Sequence, residues 1–467
     1  MPGPRDGAGE LAIVLNTHMP YVEGFGTWPF GEEWLWEAIA TSYLPLIEVL
    51  DGCERAPVTL SVTPVLCDQL ERPGAIDRCI RFLDEIRPES HRRDAVQLRG
   101  EGRIELAAEL DRSAAQYAAA SRRLTELGAA GLLGALGRHA TWTSSATHAV
   151  LPLLATDAGL SVQVQTGIAS HRRRFGAWAG GFWLPECAHA PWLDPMLEDA
   201  GVRATCVELT GLFGLGDPRH LQPLAVTDGP VLWPLDRLTM TLVWSDHGYP
   251  AGGAYRDYHR HTTHRHHVWR NDGAAYDHAV ALDAAGADAR DFVTRVRDRV
   301  AGGGVCVCAL DTELLGHWWY EGVEWLRAVI GEAARQGLAL TTLDDALERH
   351  PAAPAPAPAQ NGITSWGEGG DLRTWSGPQV ADLAWTARTA ELAMLARSAP
   401  PSDRALRELL ALQASDWAFL DSRRLAGDYP RERAEGHYQA LQLALAGHED
   451  AGDPRLRGLA PDLAGWL

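Results

Sequence analysis

Residues 305–310 read Val-Cys-Val-Cys-Ala-Leu, an uncharged run that ends on Asp311. Six such residues read as a buried strand, and a strand with no polar face needs cover on both sides. The run continues as Asp311-Thr312-Glu313-Leu314-Leu315-Gly316-His317-Trp318-Trp319-Tyr320. The strand therefore delivers an acid to a place crowded with flat aromatic rings. Carboxylates beside aromatic surfaces suit carbohydrate chemistry, in which the acid moves protons or attacks an anomeric carbon. Residues 180–189, Gly-Gly-Phe-Trp-Leu-Pro-Glu-Cys-Ala-His, have the same character around Glu186.

The rest of the chain repeats the pattern of strand followed by polar residues. Leu11-Ala12-Ile13-Val14-Leu15 reads as a first strand, ending at Asn16-Thr17-His18. Residues 58–62 read as a second, and Gly201 ends a helix that feeds a strand near Val207. Residues 239–244 are read as a further strand, with a helix at about 287–300 before the run at 305. Helical spacing covers 34–50, 75–86 and 104–127. Strands alternating with helices argue for an α/β fold, and the polar residues follow the strand ends, where a barrel enzyme carries its site. An open doubly wound sheet gives a similar pattern. Residues 351–359, Pro-Ala-Ala-Pro-Ala-Pro-Ala-Pro-Ala, are expected to be a polyproline-like spacer or exposed loop, and the tail beyond is strongly helical.

Charge narrows the partners. The net charge of −19 argues against nucleic acid and against anionic membrane surfaces. All 42 basic residues are arginine, so neither a Schiff-base nor a phosphate-loop lysine exists. Seven cysteines with no framework spacing favour reduced thiols and a cytoplasmic setting. No apolar run reaches the roughly 18–20 residues of a membrane helix. The loop Tyr255-Arg256-Asp257-Tyr258-His259-Arg260-His261-Thr262-Thr263-His264-Arg265-His266-His267 lacks a carboxylate at ligand spacing. It is read as a mobile, solvated loop whose arginines reach sugar hydroxyls, rather than as a metal site.

Retaining glycosidic chemistry needs one carboxylate as nucleophile and a second carboxyl that serves first as acid, then as base. Glu186 and Asp311 are the candidates because each stands in an apolar setting, Trp183-Leu184-Pro185 before one and Ala309-Leu310 before the other. Glu313 is the alternative acid, or else a group that holds a neighbour.

These residues resemble glycoside hydrolase family 57, and most closely its α-1,4-glucan branching enzymes. The resemblance runs through Leu15-Asn16-Thr17-His18-Met19-Pro20, Ser144-Ser145-Ala146-Thr147-His148, Trp183-Leu184-Pro185-Glu186-Cys187, Leu310-Asp311-Thr312-Glu313, Trp366-Gly367-Glu368-Gly369-Gly370 and Gln413-Ala414-Ser415-Asp416-Trp417. It implies a distorted (β/α)7 barrel over 1–350 with an inserted region around 187–275, a linker at 351–360 and a helical domain at 361–467. It implies Glu186 as nucleophile and Asp311 as general acid/base, with His18, His148 and His317 lining the subsite at the cleaved bond. Trp366, Trp375 and Asp416 would bind glucan from the helical domain. Arg256, Arg260 and Gly273 would be sugar contacts from the His-rich loop. The substrate would be an α-glucan, with no metal or organic cofactor.

Two departures bear on function. Asn16 stands where the family usually has His. The loop at 208–229, which in branching enzymes typically carries a Tyr over the site, contains no Tyr. A glycosyl-enzyme divides between a sugar acceptor and water, and about 1.4 kcal/mol between the two barriers changes the ratio tenfold. The competing expectations are an α-glucan hydrolase or 4-α-glucanotransferase, a decayed glucan-binding protein, and a metal-dependent deacetylase.

Overall fold

The structure is a computed structural model; it describes residues 9–55, 57–356, 362–448 and 458–466. Seven strands are arranged around one core. They are β1 (Glu10–Thr17), β2 (Val58–Val62), β3 (Ala140–Ser144), β4 (Phe182–Trp183), β5 (Ala204–Val207), β6 (Val231–Pro234) and β7 (Val305–Asp311). β1 lies between β2 and β7, and β2, β3 and β4 follow outward, all parallel. β5 and β6 are parallel neighbours. Two thin seams close the ring. Gly181 bridges Ala204 between β4 and β5, and the Asp236 amide, just past β6, donates to the Val307 carbonyl of β7 at 2.9 Å. The result is the distorted (β/α)7 barrel.

β1 and β7 carry no water-exposed face over most of their length because helices cover them outside and side chains fill them inside. Helices His278–Arg299 and Gly322–Gln336 pack on the outer side, and Trp319, Trp325 and Phe292 are buried between them. In the register of β1 and β7, Asn16 stands opposite Asp311. The C-terminal ends of the strands thus bring His18, Glu186, Glu208, Arg237 and Asp311 to one end of the barrel.

Several expectations change. Residues 239–244 are not a strand; the strand is Val231–Pro234, and the chain then turns into helix Arg237–Met240, whose first turn Asp236 caps through the Thr239 amide at 2.9 Å. The stretch around 187–275 is not simply inserted, since β5 and β6 belong to it. The larger excursion is helical and lies between β2 and β3, from Ala75 to the kinked helix Ile104–Gly137. Residues 351–356 are extended but pinned: Ala353–Pro354 pairs in parallel with Leu224–Ala225. Residues 357–360 of the expected linker, and residue 361 beyond it, lie outside the described residues.

The tail forms helices Ala381–Leu395, Asp403–Leu412, Ser415–Ser422 and Tyr429–Leu445, with a core of their own around Met394, Leu409 and Leu441. It reaches the barrel through polar contacts. The Thr147 hydroxyl donates to the Leu410 carbonyl at 2.5 Å, Gln163 to Gln413 at 3.0 Å, and the Ser415 amide to the His148 carbonyl at 3.1 Å. No helix among the described residues is long and apolar enough to cross a membrane.

The β4–β5 seam depends on one glycine. A Cβ on Gly181 would stand 2.1 Å from the buried indole of Trp142. We expect Gly181→Ala to lower stability by roughly 2–4 kcal/mol, because neither the seam nor the fully buried ring has room to yield. A thermal midpoint within a degree of wild type would show that it does.

Candidate active site

Glu186 sits in a tight turn after β4, with φ at 62° and the next residue, Cys187, at 47°. Left-handed backbone at two successive non-glycine residues is strained and persists only where neighbours fix it. Trp366 provides that restraint. Its backbone N–H donates to the Glu186 carbonyl at 3.0 Å, and its indole N–H donates to Glu186 Oε2 at 2.9 Å. The ring of Trp366 lies edge-on to Trp183 at 5.2 Å and tilted against the half-exposed Trp244 at 5.5 Å.

Asp311 receives a hydrogen bond from Asn16 Nδ2 at 3.0 Å, and the same amide nitrogen lies 3.3 Å from His148 Nε2. An amide N–H can only donate, so His148 Nε2 accepts and Nδ1 carries the ring proton. Nδ1 then donates to Ser415 Oγ at 2.9 Å, leaving the serine hydroxyl free to donate to Glu186. Asp311 and Glu186 are thereby the two ends of one path, Asp311–Asn16–His148–Ser415–Glu186. His18 stacks on His148 with ring centroids 4.0 Å apart. Its Nε2 lies 2.9 Å from Asp416 and its Nδ1 3.2 Å from the Thr63 hydroxyl.

Electrostatics separate these groups into charge states. Burial, with Asp311 as a neighbour, pushes the Glu186 carboxyl up to about 7. Burial also raises Asp311, to about 6, against the lowering effect of the Asn16 hydrogen bond. Both carboxyls therefore keep their protons to higher pH than free carboxylic acids do. Burial and the neighbouring His18 push His148 well below the ordinary histidine range. For His18, burial lowers the pKa but the Asp416 carboxylate outweighs it, and the net shift is upward. The stack therefore pairs a ring whose charged form is favoured with one whose charged form is strongly disfavoured. Glu313 is raised to about 8 by burial; it accepts from the His18 amide at 3.1 Å and the Tyr43 hydroxyl at 2.6 Å, and so holds the turn beside Asp311.

The structure brings His18, His148, Glu186, Asp311, Trp366 and Asp416 together, and it places the other expected site residues elsewhere. Trp375 is 2 % exposed, packed with Val150, Ala188 and Val380 under Gly367, so its ring has no free face for a sugar. His317 lines a separate cavity of about 140 Å³ with Glu37, Arg87, Tyr258 and Trp318. Arg256 borders that cavity but is ion-paired with Glu109 and stacked 3.6 Å over Tyr320. Arg260 lies 4.2 Å over Trp269 and reaches the Gly273 carbonyl at 3.5 Å, on an exposed surface. The His-rich loop is anchored at Asp94, while His259, Arg260, His261 and Thr263 remain exposed. Asp94 accepts from the Thr262 hydroxyl, from the His264 amide at 3.1 Å and from the His264 ring at 2.6 Å, and His266 is buried against His91. Among the described residues no group of three or more His, Cys, Asp or Glu is placed to hold a metal.

Ser415 is not singled out by the sequence, although it lies inside a quoted motif, and Asn16 stands out there only as a departure from the family's usual His. Their types are common in loops, and only the register of β1 with β7 and the docking of the tail give them partners.

A parallel barrel with two buried carboxyls at its strand ends, flanked by histidines and tryptophans, defines a glycosidic-bond enzyme of the two-carboxylate class. Comparison with known proteins agrees. The family model described as glycosyl hydrolase family 57 matches residues 136–355, and that described as 1,4-alpha-glucan branching enzyme, C-terminal, matches 386–453. A probable 1,4-alpha-glucan branching enzyme of Mycobacterium tuberculosis is 31% identical over 95% of this chain and 93% of its own length. A 1,4-alpha-glucan branching enzyme of Thermococcus kodakarensis is 29% identical over 92% of this chain and 72% of its own. The crystal structure of a GH57-type branching enzyme from Pyrococcus horikoshii superposes with a TM-score of 0.84 at 28% identity, covering 97% of this chain and 94% of that one. The chain belongs to glycosyl hydrolase family 57.

The raised carboxyl makes a stability prediction. Because the folded pKa of Glu186 is above its unfolded value, the side chain costs stability as pH rises from about 4.5 towards 7, and by a constant amount above that. Glutamine has no such cost and can still accept from Trp366. We expect Glu186→Gln to be more stable than wild type by roughly 1–3 kcal/mol at pH 8 and by much less at pH 4.5, read from denaturant melts. A gain that does not depend on pH would contradict the raised pKa.

Proposed function

We propose that this chain is a retaining 1,4-α-glucan branching enzyme. It would cleave an α-1,4 bond and pass the released chain to the 6-hydroxyl of a glucan, in glycogen or a related polymer. The observation that carries the reading is the pair of buried carboxyls, Glu186 and Asp311, at the ends of one hydrogen-bonded path. The curated relatives of near-equal length that are named branching enzymes, and the match at 386–453, support the choice of reaction.

The forward step starts from the form with the proton on Asp311, although burial leaves Glu186 the weaker acid of the two; Glu186, ionised, attacks the anomeric carbon while Asp311 gives its proton to the leaving glycosidic oxygen. The C1–O4 bond breaks and an ester bond to Glu186 forms. The shortened chain leaves with its new 4-hydroxyl. Asp311, now ionised, takes the proton of an incoming 6-hydroxyl as that oxygen bonds C1 and the ester breaks. Trp366 and Ser415 donate to Glu186 and keep it aimed; the Asn16 amide does the same for Asp311. The His18 cation, held by Asp416, sits where negative charge moves between the carboxyls. Asp416 thus acts through His18, and the ring of Trp366, beside Trp244, offers a surface for a sugar face. His317, with the half-exposed Trp318, would serve the chain further along. A cytoplasmic location fits the seven free cysteines, six of them buried.

One observation favours hydrolysis as a second reading. The loop after β5 has no Tyr, and it exposes Leu212 and Leu215 instead. Linkage analysis separates the two readings. With amylose as substrate we expect new α-1,6 linkages in the proton NMR spectrum; reducing ends alone would reject branching. Asp311→Asn should slow cleavage of amylose by roughly 10²–10⁴-fold but cost far less on an aryl glycoside, whose leaving group needs no proton. Equal losses on both would move the acid to another residue.

A further inference from the structure

Glu313 stands in the site, but no step above uses its charge state. It lies on the turn Thr312–Leu314, two residues past Asp311, and is 6 % exposed. The Tyr43 hydroxyl and the His18 amide both donate to the same oxygen, Oε1, at 2.6 and 3.1 Å. The turn is held from two sides. The Ser42 hydroxyl donates to the Thr312 carbonyl at 3.0 Å, and the Thr312 hydroxyl lies 2.7 Å from that of Thr17. A Cβ on Gly316 would run into the Thr41 carbonyl, so the chain just beyond the turn lies close against the segment that carries Tyr43.

Charge decides what a carboxyl fixed there can be. Four carboxyls, Glu186, Asp311, Glu313 and Asp416, surround the stacked rings of His18 and His148. Among the described residues no arginine pairs with any of the four. Of the two rings only His18 favours its charged form, and Asp416 meets it with both oxygens, at 2.9 and 3.1 Å. Bond cleavage needs one more negative charge, on Glu186 before the step and on Asp311 after it. A third would be buried with no cation to answer it, which is strongly unfavourable. The hydrogen bonds agree. With both donors on Oε1, that oxygen serves as the carbonyl of an acid and Oε2 is left to carry the proton. Burial acts in the same direction and pushes Glu313 up to about 8; the Tyr43 hydrogen bond opposes it, and Asp311 adds to it. The titratable groups around Glu313 are Asp311 on its own strand end, His18 after β1 with Asp416 and Glu186 beyond it, and Tyr43 with Cys67 behind it.

We propose that Glu313 is a positioning residue that acts as a resident neutral acid, keeping its proton throughout turnover so that Glu186 and Asp311 share one movable negative charge. The proposal rests on the roles given to those two carboxyls and not on the fate of the ester. As the C1–O4 bond breaks, C1 bonds Glu186, the Asp311 proton goes to O4, and the negative charge of Glu186 is replaced by one on Asp311. A neutral Glu313 does not oppose that transfer. An ionised Glu313 would repel the charge arriving on Asp311 and make Asp311 a weaker acid.

The test follows cleavage of amylose by the full chain across pH, read as loss of iodine colour, which falls whether the cut chain passes to a sugar or to water. In wild type both Asp311 and Glu313 must hold protons, so we expect the alkaline limb of the logarithmic rate to approach a fall of two protons per site. In Glu313→Gln the amide carbonyl still accepts from Tyr43 and His18 but nothing ionises, and the limb should fall by one proton. Glu313→Met removes the acceptor as well; we expect at least about a tenfold loss near neutral pH, most of which Glu313→Gln recovers. A limb in Glu313→Gln as steep as in wild type overturns the proposal. So does a Glu313→Gln no faster than Glu313→Met, because the site would then be using a charge on Glu313. If Glu313→Gln does not fold, Tyr43→Phe decides. It removes a donor that favours the ionised form, so the steep part of the limb should begin at higher pH, and an unmoved limb overturns the proposal. If Asp311→Asn cleaves amylose as fast as wild type, the acid lies elsewhere and the proposal falls with that assignment. If Asp311→Asn is slow while Glu313→Gln keeps the wild-type slope, the assignment stands and the neutral acid alone is rejected.

Discussion

Two carboxyl groups buried at one end of a barrel are the constraint to which the rest of this structure answers. Each ion taken from water costs several kcal/mol unless donors replace the water, and two like charges in one site add to the cost. The fold supplies those donors from elements far apart in sequence: an amide on β1, a serine at the start of a tail helix, and an indole from the segment between barrel and tail. The replacement is incomplete, which is why both carboxyls remain raised. That unfinished solvation is what chemistry needs, since one carboxyl must ionise while the other carries a proton.

The tail is part of this solution. Ser415 and Asp416 are adjacent at the start of helix Ser415–Ser422, yet each serves a different histidine. Ser415 accepts from His148 Nδ1 once the Asn16 amide has set the tautomer, and the Asp416 carboxylate favours the charged form of His18. Stacked imidazoles in the same state would repel if both were charged, and would leave the carboxyls without a nearby cation if both were neutral. The split states depend on barrel and tail being docked in register, which the polar contacts of Thr147, Gln163 and Gln413 provide.

Legibility in the sequence followed local physics. β1 and β7 could be read because residues 11–15 and 305–310 are apolar runs that burial on both faces requires, and β2 because Val58, Leu60 and Val62 alternate with Thr59 and Ser61. β4 and β6 could not. Phe182–Trp183 is two residues long, and Val231–Pro234 ends in a proline that hides it, while the apolar run just after it folds as a helix under the Asp236 cap. Glu186 and Asp311 stood out because acids in apolar settings are unusual. Trp375 misled for the complementary reason: a tryptophan among glycines reads as exposed, but Gly367 is what allows the backbone to lie against its buried ring. The loop histidines misled because their partner, Asp94, lies on a helix some 170 residues earlier.

The same distinction explains why the reaction is harder to read than the site. Cleavage depends on the charge states of Glu186 and Asp311, and those are fixed by burial and by a few short hydrogen bonds. The choice between sugar and water depends on a small difference between two barriers, at about 1.4 kcal/mol per tenfold. A difference of that size is within the reach of one loop's position. In this chain the loop after β5 has no Tyr; buried Leu209 and Phe213 anchor it in the core, and Glu208 joins it through Arg237 to Trp366. The loop and the residue that aims Glu186 are thereby joined by one run of hydrogen bonds.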